Sequence, residues 1–228
     1  MSHTPDRLAI FDLDYTLTRK GTWGRFVALC MKGRGWRWPE LALRAGVTQG
    51  LYKLGVVPRI AVKTQMMRVC MTGRPREELS QIAEAFAEAE VPDRIRPGGM
   101  RALEDHRAKG DTIMIASAAV DLLVEPIARR LGVVDWVATE MAWNAEGRCT
   151  HHFGSPNCYG SEKKARVLAF YRGLKPADTF ITMYSDSSAD IDLFTLANDP
   201  VAVHPSAKLR RESRDRGWSI VDWNEPDV

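Results

Sequence analysis

Three short apolar runs in this 228-residue chain each end on residues that a core would reject. "AIFDLD" ends on Asp12 and Asp14, "IMIAS" on Ser117, and "TMYSD" on Asp186. A short apolar run bounded by turn signals reads as a buried strand, and a carboxylate at the edge of a core is costly unless something neutralises it. The intervening segments have helical patterning. "GGMRALEDHRAKG" precedes the second run, "DLLVEPIARRLG" follows it, and "SEKKARVLAFYRGL" precedes the third, with Ser161 as the expected N-cap. "WVATEMAWNAEGRCTHHF" reads as two strands joined by a turn at Glu146–Gly147, and "PVAVHP", "SAKLRRESRDRG" and "WSIVDW" as strand, helix and strand. Strands alternating with helices predict a Rossmann-like parallel sheet covered on both faces. Working residues in such sheets stand just beyond the carboxyl ends of the strands.

Asp12, Asp14 and Asp186 at neighbouring strand ends would repel one another without a cation. Oxygen-only donors of this kind suit Mg²⁺, which takes one or two carboxylates, waters and a substrate phosphate. Asp190, four residues beyond Asp186 in "SDSSAD", could hold the waters of such an ion. With the charge balanced, a phosphate dianion can approach a carboxylate nucleophile. A second carboxylate can protonate the leaving oxygen and later take a proton from water, while Ser117 and a lysine hold the phosphoryl oxygens. "CTHHFGSPNC" brings Cys149, His151, His152 and Cys158 close in sequence, but alternate strand positions face opposite sides and no CxxC or HxxxH spacing occurs, so a zinc site is not expected.

"FDLDYTLT", "IASAA", "GSEKKARVL" and "YSDSSADIDLF" together resemble the four ordered motifs of the haloacid dehalogenase superfamily phosphatases, in the subclass typified by phosphoserine phosphatase. The resemblance implies a catalytic core at 1–19 and 92–228 and a helical cap at 20–91, inserted after the first strand. It implies Asp12 as nucleophile, Asp14 as acid/base, and phosphate-binding roles for Thr16 (which also supports the loop), Ser117, Ala118 and Lys163. It further implies a Mg²⁺ site built from Asp12, Asp14 (through its backbone carbonyl), Asp186 and Asp190. Retention of Asp14 implies phosphate-ester hydrolysis rather than dehalogenation. Phosphoserine phosphatases carry a glutamate seven residues after the second aspartate, where this chain has Gly21, and their GDGxND motif reads "SDSSAD" here. Phosphoserine is therefore disfavoured, and the wording is closer to CicA-like and phosphatidylglycerophosphatase C-type proteins.

Charge is unevenly spread. From Arg19 to Arg76 there are thirteen Lys and Arg and a single acid, Glu40, a charge of +12; the total of +3 leaves −9 for the rest. Trp23, Trp36 and Trp38 stand among these cations, a mixture suited to an anionic lipid headgroup layer. The expected substrate is accordingly an anionic lipid phosphate such as phosphatidylglycerophosphate. The alternatives are a soluble phosphate ester or a non-enzymatic phosphate-binding, membrane-docking protein. Arg59 and Lys63 are candidates for the substrate's non-reacting end, against the plainer reading of a solvated helix face. No nucleic-acid module accompanies the positive charge, so nucleic acid is not an expected partner. No run approaches the roughly 18 to 20 apolar residues of a membrane span, the N-terminal run is too short for a signal peptide, and four cysteines without a CxxC pair fit reduced thiols. These features predict a cytoplasmic protein with peripheral contact at the inner face of a membrane.

Overall fold

The computed structural model describes residues 5–171 and 174–224. Strand β1 (Arg7–Phe11) leads into four helices, α1 (Thr22–Cys30), α2 (Trp38–Lys53), α3 (Ile60–Cys70) and α4 (Arg76–Arg94). Then come α5 (Pro97–Ala108), β2 (Thr112–Val120), α6 (Asp121–Arg130) and β3 (Asp135–Thr139), followed by a small hairpin of β4 (Met141–Trp143) and β5 (Cys149–Phe153). The chain continues through α7 (Ser161–Phe170), β6 (Phe180–Ser185), the single turn α8 (Ile191–Phe194), β7 (Asp199–Val203), α9 (Ala207–Arg216) and β8 (Ser219–Val221).

Six strands form one parallel sheet in the order β3-β2-β1-β6-β7-β8. Successive strands are added outward on one side of β1 and then, from β6, on the other. The reversal places β1 and β6 side by side at the point where such sheets bind ligands. Period-two alternation divides the sheet residues between two cores. Ala9, Phe11 and Ile115 face α5 and α6 and pack with Leu103, Leu123 and Ile127. Leu8, Ile10, Met114 and Met183 face the other way, onto Val167, Phe194 and Leu209 of α7, α8 and α9. The helical segment after β1 has no core of its own: Phe26, Met67, Leu79 and Phe86 belong to the same buried cluster as Leu123 and Ile127.

Local expectations are corrected in three places. The first strand of the predicted pair splits at Glu140: Asp135–Thr139 joins the main sheet, and Met141–Trp143 pairs only with β5. The two prolines and two glycines of "VPDRIRPGGM" read as a helix break, but α4 runs through Pro92 to Arg94, because the residues beyond it are fixed by tertiary hydrogen bonds, Arg19 N to Arg94 O and Arg96 N to Leu17 O. Gly160, with φ of 60°, caps α7 in place of Ser161, and that helix ends at Phe170; of its expected extension to Leu174, Arg172 and Gly173 lie outside the described residues. All four cysteines are buried free thiols. Among the described residues no helix is long and apolar enough to cross a membrane.

The chain's far end is strapped across α5. Gly98 N donates to Trp223 O, and the indole lies against Phe11 and Tyr184. A Cβ on Gly98 would fall inside that indole. Helix propensity alone would make Gly98→Ala stabilising by up to about 1 kcal/mol. The overlap reverses the sign, and we expect a loss of about 1–3 kcal/mol, as for an overpacked core, read as a lower urea midpoint.

Candidate active site

Register brings the strand ends together. Phe11 is level with Tyr184 on β6 and Ile115 on β2, so the residues that follow, Asp12, Asp186 and Ser117, emerge on one rim. Asp12 N donates to Tyr184 O, which keeps the chain on the sheet for one more step. It then leaves through a tight turn, Leu13–Leu17, in which Tyr15 takes the left-handed φ of 65°. A bulky residue there is backbone strain, of the kind that collects at working sites. The turn separates the two carboxylates: Asp12 stays on the rim, and Asp14 Oδ1 accepts a hydrogen bond from Thr22 N, at the first residue of α1, at 2.8 Å.

The floor of the site is a buried charge cluster. Lys163 Nζ donates to Asp12 Oδ1 at 2.9 Å and to Asp190 Oδ2 at 2.8 Å, and Ser185 Oγ donates to that same Asp190 oxygen at 2.7 Å. Thr16 Oγ1 lies 3.3 Å from Asp12 Oδ2 and 3.4 Å from Asp186 Oδ1, and accepts from Asp186 N at 3.0 Å. Two carboxylates on different strands therefore converge on one hydroxyl. Burial, reinforced by the neighbouring Asp190 and Asp186 charges, pushes Asp12 up to about 7 despite Lys163. Burial and Asp190 push Asp186 up to about 6. Burial works against the Lys163 charge, but Asp12 and Asp190 more than offset it and hold its pKa above the ordinary lysine value. Asp14 is raised chiefly by burial, against the Thr22 hydrogen bond.

One lysine cannot neutralise three carboxylates, so the cluster lacks a positive charge. Asp190 Oδ1 is buried with no hydrogen-bond partner, an orphan acceptor of the kind that a bound ion's water would satisfy. Among the described residues no three carboxylate, imidazole or thiol side chains form a ready-made metal cage. An ion drawing on one or two carboxylates plus water and phosphate is the case for Mg²⁺, and the oxygen donors of Asp12 and Asp186 fit it.

Above this floor is a cavity of about 700 Å³ lined by Asp12, Asp14, Ser117, Ala118, Lys163, Asp186 and Asp190. Its opposite wall comes from the helical segment and is cationic: Lys20, Arg25, Arg59 and Lys63 all line it. Lys63 Nζ donates to Ala118 O at 2.6 Å, and burial pulls its pKa down to about 8. Arg59 stacks over Tyr159 at 4.8 Å.

Nine of the ten residues singled out in the sequence border this cavity, Arg59 and Lys63 among them. The exception is Thr16. It is fully buried, with its hydroxyl beside Asp12 and Asp186. Asp190 is bonded to Lys163 and Ser185, and Ser117 Oγ accepts from Ala119 N in a bulged stretch of β2. Asp14 turns one carboxylate oxygen, Oδ1, towards α1. Sequence reading missed Tyr15, whose ring occupies the space beside Gly21: a Cβ there would lie 3.3 Å from it. It also missed Arg25, held by the buried Glu90. Only the glycine itself could have signalled the first, and nothing local signals the second.

The chain is similar to known proteins along most of its length. The family model described as haloacid dehalogenase-like hydrolase matches residues 9–195. The chain is 29% identical to protein CicA of Caulobacter vibrioides over 87% of this chain and 86% of that one. It is 23% identical to a histidinol-phosphatase of Neisseria meningitidis over 95% and 98% of the two chains. A solved structure from Bordetella pertussis, described as a protein with unknown function, is 27% identical and superposes with a TM-score of 0.85 over 96% of this chain and 100% of the other.

Removing Lys163 tests the charge balance directly. Lys163→Met leaves Asp12 and Asp190 buried without their cation, and breaking a buried pair in this way costs about 3–5 kcal/mol. The variant's carboxylate pKa values rise further, so its folded state binds protons more readily and loses stability as pH rises. Urea denaturation should therefore show a large deficit at pH about 7.5 that shrinks towards pH about 5, and adding Asp190→Asn should recover part of it.

Proposed function

The chain belongs to the haloacid dehalogenase-like hydrolases, and from that premise we propose that it is a Mg²⁺-dependent phosphomonoesterase working through an aspartyl-phosphate on Asp12. The observation that carries the reading is the pairing of two carboxylates in unlike settings at one cavity. Burial raises both, but Asp12 is held against the Lys163 ammonium and Asp14 by a neutral backbone N–H of α1. A carboxylate held against a cation suits a nucleophile, and a buried one held by a neutral donor suits a general acid.

In the first half-reaction an Asp12 oxygen forms a bond to phosphorus, and the ester P–O bond breaks with its electron pair staying on the leaving oxygen. Asp14 gives that oxygen its proton. In the second, Asp14 takes a proton from water as the water oxygen attacks the phosphorus of the acyl phosphate, and the Asp12 carboxylate is released with inorganic phosphate. Lys163 stays protonated throughout and holds a phosphoryl oxygen, with Ser117 and the Ala118 segment beside it. Asp12 and Asp186, with the Asp14 backbone and the waters held by Asp190, would bind the Mg²⁺. When bound, the ion supplies the positive charge that lets a dianion approach these carboxylates.

The cationic wall favours a substrate with a second anionic group next to its ester. Phosphatidylglycerophosphate, with a phosphodiester one glycerol away from its terminal phosphate, has that form. The histidinol-phosphatase relative supports a second reading, a soluble phosphate ester, but Arg59 and Lys63 would repel a substrate bearing an ammonium.

Phosphate release should be measured from phosphatidylglycerophosphate in liposomes, beside soluble esters including phosphoserine. We expect Mg²⁺-dependent turnover that chelation abolishes and that Asp12→Asn eliminates in a folded protein. Asp14→Asn should lose about 10²–10⁴-fold in kcat, the usual share of a general acid–base. An active Asp12→Asn protein would sink the mechanism, and release from soluble esters alone would keep it and discard the lipid substrate.

The same assay across pH isolates Lys63. As the pH rises through about 8 this lysine loses its charge, so KM for an anionic substrate should climb there. Lys63→Met should raise KM at pH about 7 and remove that limb of the profile, as expected when the titrating group is gone.

A further inference from the structure

Helix α2 is buried along one edge only. Of its sixteen residues just Leu41 is wholly buried, and the helix packs on one side against α3. On the other side Leu43, Val47 and Leu54, spaced by four and seven residues, form a stripe with Trp36 of the preceding turn. These four side chains are 68%, 56%, 78% and 80% exposed. Leucine, valine and tryptophan aligned in this way on open surface mark an interaction site rather than scattered apolar exposure. The stripe is bordered by cations. Arg37 lies over the Trp36 ring at 5.6 Å, and both Arg37 and Arg44 engage Glu40, the segment's single acid.

We propose that this face docks on an anionic lipid bilayer, with Trp36, Leu43, Val47 and Leu54 entering the interfacial layer and the surrounding Lys and Arg meeting the headgroups. The charge selects this occupant. A second copy meeting the same face about a twofold axis would set Arg37 and Arg44 against their own counterparts, a like-charge contact that costs affinity. A soluble polyanion would satisfy the cations and leave the apolar stripe in water. An anionic bilayer answers both, since it offers negative headgroups over a layer that accepts Trp and Leu. Trp38, at the start of α2, borders a groove of about 650 Å³ lined by Leu29, Met31 and Phe86, and Arg25 lines both that groove and the catalytic cavity. The proposal deepens the lipid-phosphate reading and rests on it for the purpose of the face, but binding can be measured without turnover.

The test is co-sedimentation of the full chain with vesicles of phosphatidylcholine containing about a third phosphatidylglycerol, a phosphodiester that the enzyme does not hydrolyse, beside phosphatidylcholine alone. Binding is expected to the anionic vesicles, to weaken at about 0.5 M salt, and to fall about tenfold or more in Trp36→Ser/Leu54→Ser. That variant lies outside the catalytic cavity, so its unchanged turnover of a soluble ester serves as the folding control. Three results would overturn the proposal: no binding to either vesicle, binding that the double variant retains in full, or a dimer in light scattering that the double variant dissolves. Soluble-ester turnover by the unmodified protein reports separately on the chemistry, so a failed docking face and a failed phosphatase reading give different results.

Discussion

Everything at the rim of the sheet is arranged around one buried cation. Lys163 stands between Asp12 and Asp190, and through them fixes the ends of β1 and of the segment after β6. A buried ion pair is a poor stabiliser, because desolvation offsets most of the Coulombic gain. This cluster is worse than neutral: it carries more negative than positive charge, and two of its carboxylates are held well above the ordinary aspartate range. A fold tolerates such a feature where the surrounding packing over-determines it. Here the two apolar cores above and below the sheet do so, with Ala9, Phe11, Leu8 and Ile10 of the same strand wholly buried immediately before Asp12. The deficit of positive charge suits the site to a divalent ion, which in the proposed mechanism lets a phosphate dianion approach.

What the sequence made legible was whatever one short segment encodes by itself. Apolar runs ending in carboxylates or a serine revealed three adjacent strands and the residues that crown them, because period-two burial and the strand end are both local. The α4 helix defied its proline because Arg94, Ile95 and Arg96 are fixed by partners near Leu17 and Arg19, far away in sequence. The strand at Asp135–Met141 split because the sheet edge and the β4–β5 hairpin compete for it, which no local pattern records. Thr16 was assigned to phosphate by its motif, yet the fold turns its hydroxyl inwards to two carboxylates separated by 174 positions. Arg25 and Glu90 lie 65 residues apart and meet only once α1 and α4 pack.

The basic segment, read from sequence as one feature, resolves into three. Arg74 is structural: it is buried, donates to the carbonyls of Cys30 and Cys70, and pairs with Glu78. Lys20, Arg25, Arg59 and Lys63 turn inwards and make the cavity's far wall positive. Arg37 and Arg44 stay outside on α2 beside the apolar stripe. A net charge of +12 therefore overstates any single surface, and the outer share alone bears on a bilayer. The inner share bears on the substrate, where low polarity strengthens each charge.

The two shares are joined through the acid/base. Asp14 is on the catalytic loop, but the group that orients it, Thr22 N, opens α1 of the helical segment. Lys63, two helices further along, reaches back from α3 to the carbonyl of Ala118 beside Ser117. The helical segment thus touches the cavity at Asp14 and at the Ser117–Ala118 stretch of β2, and shares a buried core with α6 behind both. Displacing it would free Asp14 from its hydrogen bond, expose the carboxylate to water and return its pKa towards the ordinary range, which is the wrong state for a general acid. In the proposed mechanism, proton transfer to the leaving oxygen therefore depends on the seating of the helices as much as on the loop that carries Asp14. A membrane contact on α2 would act on the same body that holds that proton donor in place.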